Sequence, residues 1–267
     1  MSVATEAVNG EVRLAYEVRG TGPPLLLVHG LGYARWGWEP VADALAERFT
    51  TILFDNRGVG ESDVPPGPYT ARMMAEDAIA ILDDAGLDRI HVLGTSLGGM
   101  VAQELVLGWP ERVDRLVLAC TTPGGPAAHP MPRQTVLLLG RVMLMSRNKG
   151  LRLLVENALA PGAGRPELVE RILAHRLSSP FDPAGWQAQA AAGVAFDALE
   201  RLDAISAPTL VLQGTADVVV DPRNAELLAR RIAGARLEFF PEGGHLFFWE
   251  DPQRFVQVVG EFLSEAS

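Results

Sequence analysis

The sequence predicts an α/β fold, with a mostly parallel central sheet, helices on both faces and an inserted helical cap. Three observations carry this. Runs such as 24–29 and 51–55 are apolar at consecutive positions, as strands buried on both faces are. Such runs alternate with segments of helical spacing. One long segment, 121–205, breaks the alternation and has no buried-strand pattern.

The elements follow in order. Residues 3–8 and 11–18 alternate loosely around Asn9-Gly10, which is a hairpin signal. The apolar strand 24–29 ends in His29-Gly30-Leu31-Gly32, and residues 38–48 have helical spacing. The strand 51–55 runs into the turn Asn56-Arg57-Gly58-Val59-Gly60, and 70–85 reads as an amphipathic helix. Residues 89–93 form a buried strand, followed by Gly94-Thr95-Ser96-Leu97-Gly98 and a helix from Gly99. Further buried strands are expected at 115–119, 208–213 and 236–240, with a closing helix at 251–264. Within 121–205 a breaker-rich loop, Thr122-Pro123-Gly124-Gly125-Pro126, precedes helical patterns at 133–145, 150–159, 167–177 and 184–192. Residues 1–120 and 206–267 are therefore expected to form the core, and 121–205 the cap over the carboxyl edge of the sheet.

Composition bounds the function. The 267 residues are 48% hydrophobic and 21% charged, enough for one core plus a lid. At net charge −10 no basic cluster stands out, which argues against nucleic acid and against an anionic membrane surface as partners. No stretch reads as a signal peptide or a membrane span. The single cysteine, Cys120, excludes an internal disulfide and fits a reducing cytoplasm.

Strand, G-x-S-x-G and helix in succession form the context of a nucleophile elbow. There a serine sits on a strained turn, and glycines flank it because side chains would strike the backbone. Ser96 is the candidate nucleophile. A serine hydroxyl needs a base. Of five histidines, His245 follows two glycines in a loop after the last strand, where ligands bind in parallel sheets. His91 lies inside a strand, His129 and His175 fall in the cap, and His29 reads as a brace for its turn. Asp217, directly after the strand 208–213, is the carboxylate expected to orient His245. Asp221, just before Pro222, reads instead as a helix N-cap with proline at the first helical position. The oxyanion donors are expected to be the backbone N–H groups of Leu97 and Leu31. Trp36, Met131, Met143, Trp186 and Leu246 are candidate pocket residues. No cluster has metal-ligand spacing, so no metal and no cofactor is implied.

With these pieces in place, the chain resembles the α/β-hydrolase superfamily over nearly its full length. The matching segments are His29-Gly30-Leu31-Gly32, Asp55-Asn56-Arg57-Gly58-Val59-Gly60-Glu61-Ser62, Gly94-Thr95-Ser96-Leu97-Gly98-Gly99, Gly214-Thr215-Ala216-Asp217 and Gly243-Gly244-His245. It is similar to the small bacterial members with a helical cap: carboxylesterases, enol-lactone hydrolases of aromatic catabolism and cofactor-free perhydrolases. Serine at position 96, where others carry aspartate, argues against epoxide hydrolases and haloalkane dehalogenases. The resemblance implies a carboxylesterase working through an acyl-enzyme on a small-molecule ester. A lactone or carbon–carbon bond hydrolase, a perhydrolase and a non-catalytic ligand receptor remain open, as does the oligomeric state. The cap composition suggests a closed apolar pocket of limited depth and no exposed amphipathic segment suited to an oil–water interface.

Overall fold

A computed structural model describes residues 5–161 and 165–265. Strands β1 (Thr5–Asn9) and β2 (Val12–Arg19) form the expected hairpin around Gly10, which takes φ 64°. Val3, placed in that hairpin from sequence, lies outside the described residues. Then come β3 (Pro24–Val28), α1 (Ala42–Ala46), β4 (Thr50–Phe54), α2 (Ala71–Asp84), β5 (Ile90–Thr95), α3 (Leu97–Gly108) and β6 (Val113–Ala119). Helices α4 (Arg133–Val142), α5 (Arg147–Ala158), α6 (Pro166–Ser178) and α7 (Pro183–Ala195) intervene before β7 (Thr209–Gly214). The chain closes with α8 (Arg223–Arg231), β8 (Arg236–Phe240), α9 (Phe247–Glu250) and α10 (Pro252–Leu263).

The strands form one eight-stranded sheet in the order β1-β2-β4-β3-β5-β6-β7-β8. It is parallel from β4 to β8; β2 pairs antiparallel with both β1 and β4. Alternation along each strand sends neighbouring side chains to opposite faces. Leu26, Val28, Ile52, Phe54, Val92, Leu116 and Leu118 pack on one side with α2, α3 and α8. Leu25, Leu27, Leu53, Leu93, Val117, Leu210 and Leu212 pack on the other with α1 and α10. Each such fully buried aliphatic side chain contributes about 1.5–3 kcal/mol of burial free energy. That two-sided burial explains why the runs are apolar at consecutive positions.

Helix ends follow side-chain chemistry. Thr70 caps α2 by accepting from the Met73 N–H at 3.1 Å. Asp182 caps α7, accepting from Ala184 at 2.7 Å. Most boundaries shift by a few residues, and three of the differences show side-chain chemistry at work. The helix expected at 38–48 is a 3₁₀ turn, Arg35–Trp38, followed by the short α1, because Pro40 cannot supply the N–H that a continuous helix needs. Asp251 is the N-cap of α10 rather than its first residue, and α9 precedes it. The α8 helix starts at Arg223, one residue later than expected; Asp221 accepts from the Arg223 N–H at 3.0 Å.

Candidate active site

Ser96 is the single residue between β5 and α3, with φ 54° and ψ −121°. A non-glycine residue with positive φ is held at a cost of about 1–3 kcal/mol, so its surroundings must over-determine it. Its N–H donates to Ala119 O at 3.0 Å, and its carbonyl accepts from Gly99 N at 2.9 Å and Thr121 Oγ1 at 2.7 Å. The turn closes because position 98 is glycine: a Cβ there would overlap the Val28 carbonyl. On the other side, a Cβ at Gly30 would lie 2.9 Å from that of Ser96, so the turn after β3 presses directly against the serine.

Asp217 and His245 arrive from two further strand ends. Asp217 follows β7, and its side chain is fully buried. Its Oδ1 accepts the Val219 and Val220 N–H groups at 2.8 and 3.0 Å, and its Oδ2 accepts Gln213 Nε2 at 2.9 Å. The same Oδ2 meets His245 Nδ1 at 2.8 Å. With Nδ1 held by the carboxylate as donor, Nε2 is the ring atom left to accept a proton. His245 and Ser96 line one cavity. Asp221 is occupied elsewhere, paired with Arg223 at 2.6 Å.

The turn after β3 is fixed from both ends. His29 Nδ1 accepts the Gly30 N–H at 2.7 Å, and burial pushes the ring's pKa down to about 3, so His29 is a neutral brace. Gly32 N–H donates to Gln189 Oε1 at 2.9 Å, and Gln189 Nε2 donates to Arg57 O at 2.8 Å. Among the described residues no acceptor engages the N–H of Leu31 or of Leu97, and Leu97 opens its helix. Both residues line the cavity beside Ser96.

The cavity measures about 870 Å³ and is mainly apolar. The helices between β6 and β7 supply much of its wall, and Met131, Met143, Trp186 and Leu246 line it. Trp36 is a correction, since it does not face this cavity. Its indole stacks on His175, with centroids 5.2 Å apart, and packs on Tyr33 and Trp249, a cluster that anchors α6 to the core. Cys120 does face the cavity, and burial pushes its thiol well above the usual range. Among the described residues no group of three or more His, Cys, Asp or Glu side chains is placed to hold a metal.

The sequence model of the family described as alpha/beta hydrolase fold matches residues 23–252. The chain belongs to that family. This hydrolase is similar to a putative carbamate hydrolase, RutD, of Azorhizobium caulinodans, 31% identical over 97% of this chain and 98% of that protein. Among solved structures, a hydrolase from Pseudomonas aeruginosa PA01 is 34% identical, covers 98% of both chains and superposes with a TM-score of 0.86. A thermophilic esterase from Thermogutta terrifontis is 32% identical over 98% of both chains, with a TM-score of 0.81.

Three supporting side chains of this hydrolase escaped the sequence reading. Gln213 supports Asp217, and Gln189 pins the turn after β3. Glu250, its side chain 3% exposed, accepts from Gly244 N at 2.9 Å and Ala160 N at 2.5 Å, tying the His245 loop to the end of α5. A glutamine near the end of a buried strand and a glutamate directly after three aromatic residues were the signals available, since buried polar groups are placed where they find partners.

Proposed function

We propose that this hydrolase is a serine esterase for apolar carboxylic esters, with residues 121–205 as a cap over its site. The reading rests on one observation: a histidine held by a buried aspartate opens into the same apolar cavity as a serine in strained elbow geometry. Ser96 Oγ attacks the ester carbonyl carbon while its proton passes to His245 Nε2. The Leu31 and Leu97 N–H groups donate to the oxyanion that forms. The carbon–oxygen bond to the leaving group then breaks, and His245 returns the proton to the departing alcohol. Water, deprotonated by the same nitrogen, releases the acid and restores Ser96.

A cavity of this size and polarity favours an apolar ester over a small polar carbamate, most of whose surroundings would stay unfilled. The test is a panel of p-nitrophenyl esters, enol-lactones and carbamates at equal concentration. Esters are expected to have the highest kcat/KM. Turnover confined to lactones or carbamates would reassign the bond, and no turnover of any member would leave a ligand receptor.

A further inference from the structure

The α4–α5 segment carries an unusual surface. No acidic residue occurs between Asp114 and Glu156, although the whole chain has a net charge of −10. Residues 131–155 hold five cations: Arg133, Arg141, Arg147, Lys149 and Arg152. The sum over the chain conceals this segment. Arg152 pairs with Glu170 at 2.7 Å, and Arg147 lies over the Phe181 ring. Arg133, Arg141 and Lys149 are exposed, and among the described residues no carboxylate pairs with them.

The same surface is apolar. Val136, Leu137, Met143 and Leu144 are 52%, 75%, 83% and 90% exposed. A surface helix ordinarily keeps one apolar stripe for the core. Here Thr135, Leu139 and Val142 already face the cavity, so the residues between them form a second, outward apolar face. Leu137, Arg141 and Leu144 recur at intervals of four and three, which sets apolar and basic groups side by side along one face. Met131 and Met143 both line the cavity and reach solvent, so this face adjoins the cavity mouth. The expectation of no exposed amphipathic segment is overturned.

We propose that the outer face of α4 and the start of α5 dock the protein on lipid surfaces carrying anionic headgroups. Exposed leucine and methionine enter the headgroup boundary, and Arg133, Arg141 and Lys149 meet the headgroup charge. The charge complementarity chooses this occupant. A like-charged copy of the same face would repel, and a neutral lipid would leave three cations unanswered. The arrangement sets the cavity mouth at the membrane boundary. It concerns binding and does not rest on the esterase reading.

The experiment is co-sedimentation of the full chain with vesicles of phosphatidylcholine alone, or of an equimolar mixture with phosphatidylglycerol, at low and high salt. Binding is expected to the anionic vesicles, weaker at high salt and at least about tenfold weaker on the neutral ones. The Leu137→Glu/Leu144→Glu variant, and separately the Arg133→Gln/Arg141→Gln/Lys149→Gln variant, are each expected to lower binding about tenfold or more. Val8→Glu, which changes an exposed apolar residue on β1, should leave it unchanged. Unaltered circular dichroism of each variant shows that the loss is not unfolding. No binding to anionic vesicles, equal binding to neutral ones or an equal loss in Val8→Glu overturns the proposal. So does a dimer in sedimentation equilibrium that Leu137→Glu/Leu144→Glu disperses, which would give the face to a second copy.

Discussion

Gln213 donates from Nε2 to Asp217 Oδ2 at 2.9 Å, onto the same oxygen that meets His245 Nδ1 at 2.8 Å. With two backbone N–H groups on Oδ1, the carboxylate has donors at both oxygens and one available orientation. A glutamine near the end of β7 therefore helps to hold the carboxylate that meets the imidazole. Gln213 is a positioning residue, two bonds removed from the cavity.

Gln213→Leu keeps the Asp217–His245 pair and the two backbone donors on Oδ1 but removes the second donor on Oδ2, so the carboxylate is held less tightly. A small misplacement of a catalytic group costs up to about a hundredfold in rate. The expected outcome is a fall in kcat of about tenfold or more with KM little changed, and Gln213→Glu should not restore it. A variant with unchanged kcat removes the positioning role.

Asp217→Asn should lower kcat by about a thousandfold or more, because the amide can present its N–H₂ to Nδ1 and favour the wrong tautomer. Asp221→Asn, which loses only the contacts to Arg223, should cost far less. Steady-state rates of the two variants on one ester decide it. The reverse order would make Asp221 the acid.

Much of this site was legible in the sequence because glycines and strand ends mark it. A Gly-x-Ser-x-Gly turn between an apolar run and a helix has few solutions, since position 98 packs on the Val28 carbonyl. The order Ser96, Asp217, His245 could be read because each follows a strand; β5 and β7 are buried throughout, whereas β8, expected to be buried, is the sheet's edge and buries only Phe240. Gln189 and Glu250 could not. Their partners are backbone groups 157 and 90 residues away, and no local pattern encodes such a contact. Trp36 was misplaced for a related reason: an indole beside the turn after β3 can face the cavity or the core, and the stacking on His175 from α6 decides it. The outward face of α4 was hidden because its apolar run Val136-Leu137-Leu138-Leu139 reads as packing on the core, and the sequence does not say which of its sides faces solvent.

Burial of His29 makes stability depend on pH. Its folded pKa of about 3 lies below its ordinary 6.5, so below 6.5 the unfolded chain takes up a proton that the folded chain refuses. The stability is present above that value and drains away as pH falls toward 3; His91, also pushed down by burial, adds in the same direction. In His29→Asn, where an amide oxygen can accept the Gly30 N–H, the loss of unfolding free energy between pH about 7 and about 4 should be smaller than in the parent. Identical slopes by denaturant titration would show that His29 is not the group responsible.

The cavity of about 870 Å³ is near the upper end of small-molecule pockets, which span about 300–1,000 Å³. With each buried methylene contributing up to about 0.8 kcal/mol, kcat/KM should rise past hexanoyl esters to about decanoyl. Leu139→Trp, which fills the cavity from α4, should penalise decanoyl far more than acetyl esters. An optimum at acetate in the parent protein, or equal losses for both esters, would show that the acyl chain does not use this space.

The nucleophile is the centre of the reading, and covalent capture tests it most directly. The intact protein is incubated with a fluorophosphonate, which transfers its phosphonyl group to an activated serine with loss of fluoride, and its mass is measured before peptides are mapped. One adduct on the peptide containing Ser96 is expected in the parent protein. None is expected in folded Ser96→Ala, and labelling should be far slower in His245→Ala. An adduct on another residue, or equal labelling of Ser96→Ala, would contradict the assignment of Ser96.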